Sequence, residues 1–157
     1  MANGDSMIKV LFVCHGNICR SPMAEFLFKK YVNDLNDNRF IIESCATSLE
    51  EIGNPVHYGT RKILDRFNID YSKKRARRMT IDDYNNFDYI VAMDRNNINN
   101  IRRIIGNDNK RKVSLLLEFA GLNRDISDPW YTGNFEKTYD DIMIGINALY
   151  KYINEKM

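Results

Sequence analysis

Val10-Leu11-Phe12-Val13-Cys14-His15-Gly16-Asn17-Ile18-Cys19-Arg20-Ser21-Pro22-Met23 is the stretch on which the reading of this chain turns. The apolar run from Ile8 to Val13, broken only by Lys9, suits a strand covered on both faces. A glycine-containing loop follows from Cys14 to Arg20. Pro22 stands where a first helical turn tolerates proline, and Ser21 before it is the expected N-cap. Met23, Phe26, Leu27, Tyr31 and Leu35 then recur at helical spacing. The stretch predicts strand, tight loop, helix.

Outward from there the alternation continues. Phe40 to Cys45 reads as a strand, and Asn54-Pro55 opens a helix through Ile63, Leu64 and Phe67 with Asn54 as its cap. Thr80-Ile81-Asp82-Asp83 has the form of a capping box at the start of a short helix. Tyr89 to Met93 is a further buried-strand run. Asp94 caps a helix through Ile98, Ile101, Ile104 and Ile105 that stops near Gly106. Val113 to Leu117 is a fourth strand, Gly121 to Asn134 is loop, and Phe135, Tyr139, Ile142, Ile146, Leu149 and Ile153 form the stripe of a last helix. Strands alternating with helices imply an α/β fold: a four-stranded parallel sheet flanked by helices on both faces. Ligands of such sheets bind beyond the carboxyl ends of the strands. The Cys14 loop, the Cys45–Gly53 loop and the loop after Met93 end there.

The 157 residues suffice for one domain, expected over 7–157, with Met1 to Ser6 a short flexible terminus. Apolar residues at 44% and charged residues at 28% exclude long disorder. No apolar run approaches the ~20 residues of a membrane helix, and the basic flank and cleavage site of a signal peptide are missing. Three cysteines cannot all pair within one chain, which points to a reducing, cytoplasmic setting. A net charge of +2 leaves nucleic-acid binding to local clusters. Lys73 to Arg78 and Lys110 to Lys112 are such clusters, but they lack interleaved aromatics and read as solvated faces. The first run is also available to attract an acidic, phosphorylated partner. His15 and His57 have no metal-ligand constellation around them, so neither metal nor cofactor is expected.

The loop itself suggests chemistry. Cys14 and Arg20 are separated by five residues, between a strand and a helix. Successive N–H groups in a tight loop make an anion nest, and the following helix adds its positive end. Arg20 offers a planar fork for two phosphate oxygens. Gly16 and Asn17 are residue types that tolerate left-handed backbone. These surroundings favour a thiolate at the base of the nest, beneath a bound oxyanion, placed to attack phosphorus. A buried structural cysteine with an unrelated arginine nearby would show the same bare spacing. The strand before, the glycine within and the Ser-Pro and helix after favour the phosphate-binding loop.

The run Val13 to Glu25 resembles the signature of the low-molecular-weight protein tyrosine phosphatases. Ser44-Cys45-Ala46-Thr47-Ser48, Gly53-Asn54-Pro55, Ala76-Arg77, Phe87-Asp88-Tyr89-Ile90, Met93-Asp94 and Asp128-Pro129-Trp130-Tyr131 look like its other landmarks, in order. The resemblance spans nearly the whole chain. It implies metal-independent hydrolysis of phosphotyrosine in proteins, and of small aryl phosphates, through a phosphocysteine. Its implied roles are Cys14 as nucleophile, Arg20 as phosphate clamp and Asp128 as general acid. Ser21 would stabilise the thiolate, while Asn17 and Ser44 hold the shape of a loop completed by His15, Gly16, Ile18 and Cys19. In this family the second loop cysteine can pair reversibly with the nucleophile, which gives Cys14 and Cys19 a redox role; a small packed residue is the other reading of Cys19. The implied partners are tyrosine-phosphorylated proteins, and a monomer is expected.

Three positions depart from the family pattern. Lys74, which can donate but not accept, stands where many members carry a histidine supporting the loop asparagine. Leu49-Glu50-Glu51 lacks the aromatic that some members place at one cleft wall. Trp130 replaces a common tyrosine. Glu50, Trp130 and Tyr131 are accordingly the expected specificity wall. Two other functions fit the sequence less well. Arsenate reduction passes oxidation to cysteines downstream of the loop, and none follows Cys45. A silent phosphoprotein-binding module would lack the nucleophile or the acid, and both are present.

Overall fold

In the computed structural model, which describes residues 7–156, four strands alternate with six helices. The strands are β1 (Ile8–Cys14), β2 (Phe40–Ala46), β3 (Tyr89–Ala92) and β4 (Val113–Leu115). The helices are α1 (Arg20–Asp34), α2 (Tyr58–Asp65), α3 (Ile81–Asn86), α4 (Arg95–Ile105), α5 (Pro129–Thr132) and α6 (Phe135–Lys156). The expected flexible terminus, Met1 to Ser6, lies outside the described residues.

All strands pair in parallel in the order β2-β1-β3-β4. β1 explains why both faces must be covered. Val10, Phe12 and Cys14 pack into one cluster with Met23, Phe28, Ile142 and Ile146 of α1 and α6. Leu11 and Val13 pack into a second with Tyr84 of α3 and Ile101 of α4. A strand buried on both sides has no polar alternation to show, hence its continuous apolar run. Gly145 lets α6 descend onto the 3₁₀ turn Leu116–Ala120, since a Cβ there would come within 2.3 Å of Leu116 Cγ. Connections leave β1 for β2 on one side and reach β3 on the other. The loop after β1 therefore sits at the switch point, where such sheets open a crevice.

Several boundaries differ from those read in the sequence. β4 stops at Leu115, because Leu116–Ala120 turns into the 3₁₀ helix, and β3 stops at Ala92. The 121–134 loop contains one helical turn, α5, with Asp128 accepting from Trp130 N at 3.0 Å as its cap. Helix α1 begins at Arg20, so Ser21 lies inside the first turn and is not its cap. Its hydroxyl is spent on Cys14 Sγ instead, 2.9 Å away. Helix α2 begins at Tyr58 and ends at Asp65, and His57, not Asn54, caps it, Nδ1 accepting from Gly59 N at 3.0 Å. Residues 53–57 stay outside the helix because their backbone is used elsewhere: Gly53 N donates to Ala76 O, Ala76 N to Asn54 O, and His57 N to Ile18 O.

Candidate active site

The loop from Cys14 to Arg20 is held from outside by its carbonyls. Cys14 O accepts from Thr47 N and His15 O from Ser48 N, each at 3.0 Å. Ile18 O accepts from His57 N at 2.8 Å, and Cys19 O from the Thr60 hydroxyl at 3.0 Å. In a trans peptide the next N–H points opposite to the carbonyl. The N–H groups of His15, Gly16, Cys19 and Arg20 are thus turned away from the scaffold, the orientation that an anion nest requires. Asn17 supplies the left-handed residue, with φ of 59°. Gly16 has no positive φ; its missing side chain instead leaves room for Glu51, whose Cγ a Cβ there would meet at 3.2 Å.

Cys14 ends β1 at the base of this nest. Its sulfur is 2.9 Å from Ser21 Oγ and accepts from Ser21 N at 3.4 Å. A chain of hydrogen bonds fixes which way the serine points. The Ser44 hydroxyl donates to Glu25 Oε1 at 2.5 Å, so its oxygen accepts from Asn17 Nδ2 at 2.9 Å. The other Asn17 amide proton goes to Ser21 Oγ at 2.8 Å, and Asn17 Oδ1 accepts from Arg77 N at 3.2 Å. Ser21's own proton is left for the sulfur, with Cys45 O a distant rival at 3.5 Å. Glu25, nearly fully buried, anchors the chain and was given no role from sequence. The one available sign was an acidic residue on the inward face of an otherwise apolar helix. Lys74 does not touch Asn17. It donates to Ser44 O at 2.8 Å and lies 3.6 Å from Glu25 Oε1, compensating the buried carboxylate. Burial pushes the Lys74 ammonium down, with Glu25 acting against that.

Arg20 is buried beside the sulfur. Nη1 donates to Asp94 Oδ2 and to Ile126 O, both at 2.8 Å, and Nη2 to Asp128 Oδ2 at 3.4 Å. Burial opposes the guanidinium charge, but Cys14, Asp94 and Asp128 outweigh it and hold its pKa above the ordinary value. Asp94 is both cap and brace: Oδ1 accepts from Asn97 N while Oδ2 grips Arg20. Sequence reading found only the cap, because the partner lies 74 residues away. Asp128 arrives on the 121–134 loop, which is tied to the end of β3 by Ile126 N donating to Met93 O, and to α6 by Arg124 forking onto Asp141.

Cys14, His15, Gly16, Ile18, Cys19, Arg20, Glu50, Asp128, Trp130 and Tyr131 line one cleft, so the sequence-derived residues converge except Asn17, Ser21 and Ser44, which lie behind it. Glu51 joins the lining. His57 was also missed; it stacks on Phe135 and meets Trp130 edge-on with ring centres 5.5 Å apart. Burial, then Arg61, pushes its imidazole below the usual histidine range. Burial pushes the Cys19 thiol well up, with Cys14 and Asp128 adding to it. Cys45 is fully buried in the core, its thiol likewise pushed up by burial. Of the basic run, Lys74 and Arg77 are taken up internally, Arg77 by Asp83 and Glu43. Among the described residues no group of His, Cys, Asp or Glu is gathered as a metal site.

A family model described as low molecular weight phosphotyrosine protein phosphatase matches residues 9–157. The chain belongs to that family. The low molecular weight protein-tyrosine-phosphatase PtpA of Staphylococcus aureus is 42% identical over 148 residues, 94% of each chain. Among solved structures, YfkJ from Bacillus subtilis aligns with a TM-score of 0.92 at 39% identity, covering 98% of this chain and 99% of that one. The low molecular weight protein tyrosine phosphatase SP-PTP from Streptococcus pyogenes aligns with a TM-score of 0.81 at 42% identity, covering 96% of this chain and 94% of that one. This low molecular weight phosphatase hydrolyses phosphotyrosine through a phosphocysteine, on the four-stranded parallel fold expected from its sequence. Its substrates are phosphoproteins, and among the described residues no helix is long and apolar enough to cross a membrane.

Proposed function

We propose that Cys14, Arg20 and Asp128 carry the reaction and that Ser21, Asn17 and Ser44 keep the nucleophile ready. The observation that supports this is the convergence on one sulfur: Ser21 Oγ at 2.9 Å, within a loop whose arginine faces Asp128 Oδ2 at 3.4 Å. The Cys14 thiolate attacks phosphorus, forming the S–P bond as the aryl P–O bond breaks. Protonated Asp128 gives its proton to the departing oxygen, which otherwise leaves poorly. Asp128 then takes a proton from the water that attacks phosphocysteine, and phosphate and thiolate are released. Arg20 and the N–H groups of the nest stabilise the equatorial oxygens, so the charge is met without a metal. The phosphate and Asp128 compete for the same Nη2 proton, which frees the carboxyl for transfer when substrate is bound.

The same reading makes residues 7–157 one phosphatase domain, acting as a monomer in a reducing, cytoplasmic setting. Three free thiols support that setting. Cys19 is the partner for reversible oxidation of Cys14, and Glu50, Trp130 and Tyr131 form the specificity wall. The test is Cys14→Ser. Turnover of p-nitrophenyl phosphate and of a phosphotyrosine peptide falls by at least about 10³-fold, because a hydroxyl ionises far less readily than a thiol. Inorganic phosphate binding by calorimetry persists, because the nest and Arg20 are untouched. Turnover within tenfold of wild type overturns the assignment.

A further inference from the structure

The phosphate-binding loop does not stand alone at the cleft mouth. His15 Nε2 lies 3.2 Å from Glu50 Oε1. The stem of Glu51 rests against the Gly16 backbone, where a Cβ would meet its Cγ at 3.2 Å. Glu51 Oε1 is held further by Asn54 Nδ2 at 2.8 Å. Two consecutive loop residues thus each abut an acidic side chain, His15 at the Glu50 carboxylate and Gly16 at the Glu51 stem. The same cleft is lined by Trp130 and Tyr131, 56% and 83% exposed. Asp128 lines it as well, its carboxylate capping the α5 turn that carries the two rings.

The charge balance of this mouth is unusual for a site that takes a dianion. Glu50, Glu51 and Asp128 are acidic, whereas the cationic Arg20 lies at the floor with 2% of its side chain exposed. The phosphate engages Arg20 and the nest. Whatever flanks the phosphate meets the carboxylates and the aromatic rings that line this one cleft. Both surfaces attract a cation, the first by Coulomb attraction and the second through the ring quadrupole. Lys74 and Arg77, which could have offset this field from the basic run, are spent on Ser44, Glu25, Asp83 and Glu43.

We propose that this cleft selects phosphotyrosine segments that carry lysine or arginine beside the phosphotyrosine and rejects acid-flanked ones. The proposal deepens the phosphotyrosine reading and rests on it. Glu50 and Glu51 are its specificity-determining residues, with Trp130 as the second face for the cation.

Two synthetic phosphopeptides that differ only in having lysine or glutamate on either side of the phosphotyrosine test it. Wild type is expected to give a kcat/KM about tenfold higher for the lysine peptide at low salt, shrinking as salt screens these exposed charges. In Glu50→Lys/Glu51→Lys the ratio inverts, and in Glu50→Gln it moves toward one. Each ratio is taken within one protein, so loss of overall activity in a variant does not disguise the result. A wild-type ratio near one, a preference for the glutamate peptide, or a ratio unchanged in the double variant overturns the proposal. Failure of wild type to hydrolyse either peptide or p-nitrophenyl phosphate overturns the phosphatase reading beneath it.

Discussion

Asp128 uses its two oxygens differently. Oδ1 accepts from Trp130 N and so starts the α5 turn, while Oδ2 faces Arg20 across the cleft floor. The cap holds the carboxyl in place and leaves the second oxygen facing Arg20, where the proposed proton transfer would occur. Asp128→Ala is expected to slow phosphotyrosine cleavage by ~10²–10⁴-fold but to spare esters whose leaving groups need no proton. Phosphoenzyme formation across aryl phosphates of graded leaving-group acidity measures this; a uniform slowing would place the acid elsewhere. Cys19 offers a second case of a residue tuned by its surroundings. Burial pushes its thiol up, so under the proposed redox role its attack on an oxidised Cys14 would be slow and would quicken as pH rises. After brief peroxide treatment and thiol reductant, Cys19→Ser should regain less activity than wild type; equal recovery would leave Cys19 a packing residue.

At the level of elements, the segment before α2 shows how tertiary partners overrule a local signal. Asn54-Pro55 has the form of a helix start, yet 53–57 serve as a strap bonded to Ala76 and Ile18. The cap passes to His57, whose Nδ1 must be unprotonated to accept from Gly59 N. The groups acting on this ring are Arg61, Glu51 and Asp128, and burial among Phe135 and Trp130 sets the net direction, below 6.5. The sign of the linkage follows. Below about 6.5 an unfolded chain takes up a proton at His57 that the folded chain still refuses, so stability rises with pH and is lost as pH falls through that window. Asparagine caps without titrating. Between pH 7.5 and 5.5, the urea midpoint of His57→Asn should therefore fall less than that of wild type. An equal fall would show that His57 is not the group responsible.

Across the whole molecule, what could be read in the sequence was what short-range chemistry writes there. β1 is apolar because both of its faces are covered, and the Cys14–Arg20 loop carries its own glycine, left-handed asparagine and helix start. Alternation pointed to four parallel strands but not to their order β2-β1-β3-β4, and the place of Asp128 in the site was implied by family resemblance. The long-range brackets left little local trace: Asp94 reaches Arg20 over 74 positions, and Ser44 reaches Glu25 over 19. A carboxylate whose partner is brought by folding looks like any other charged residue. Glu51 was passed over for the same reason, because its meaning depends on the missing Cβ of Gly16.

Trp130 has one more consequence. It is the sequence's sole tryptophan, and it stands on the cleft wall, against His57 and next to the acid. Excited beyond the absorption of the nine tyrosines, the protein emits light from that wall alone. Oxyanion binding and peptide docking in this cleft would each alter the surroundings of the same indole. The enzyme thus carries its own fluorescent label at the place where its chemistry happens, and its encounters can be followed on the stopped-flow timescale without attaching a dye.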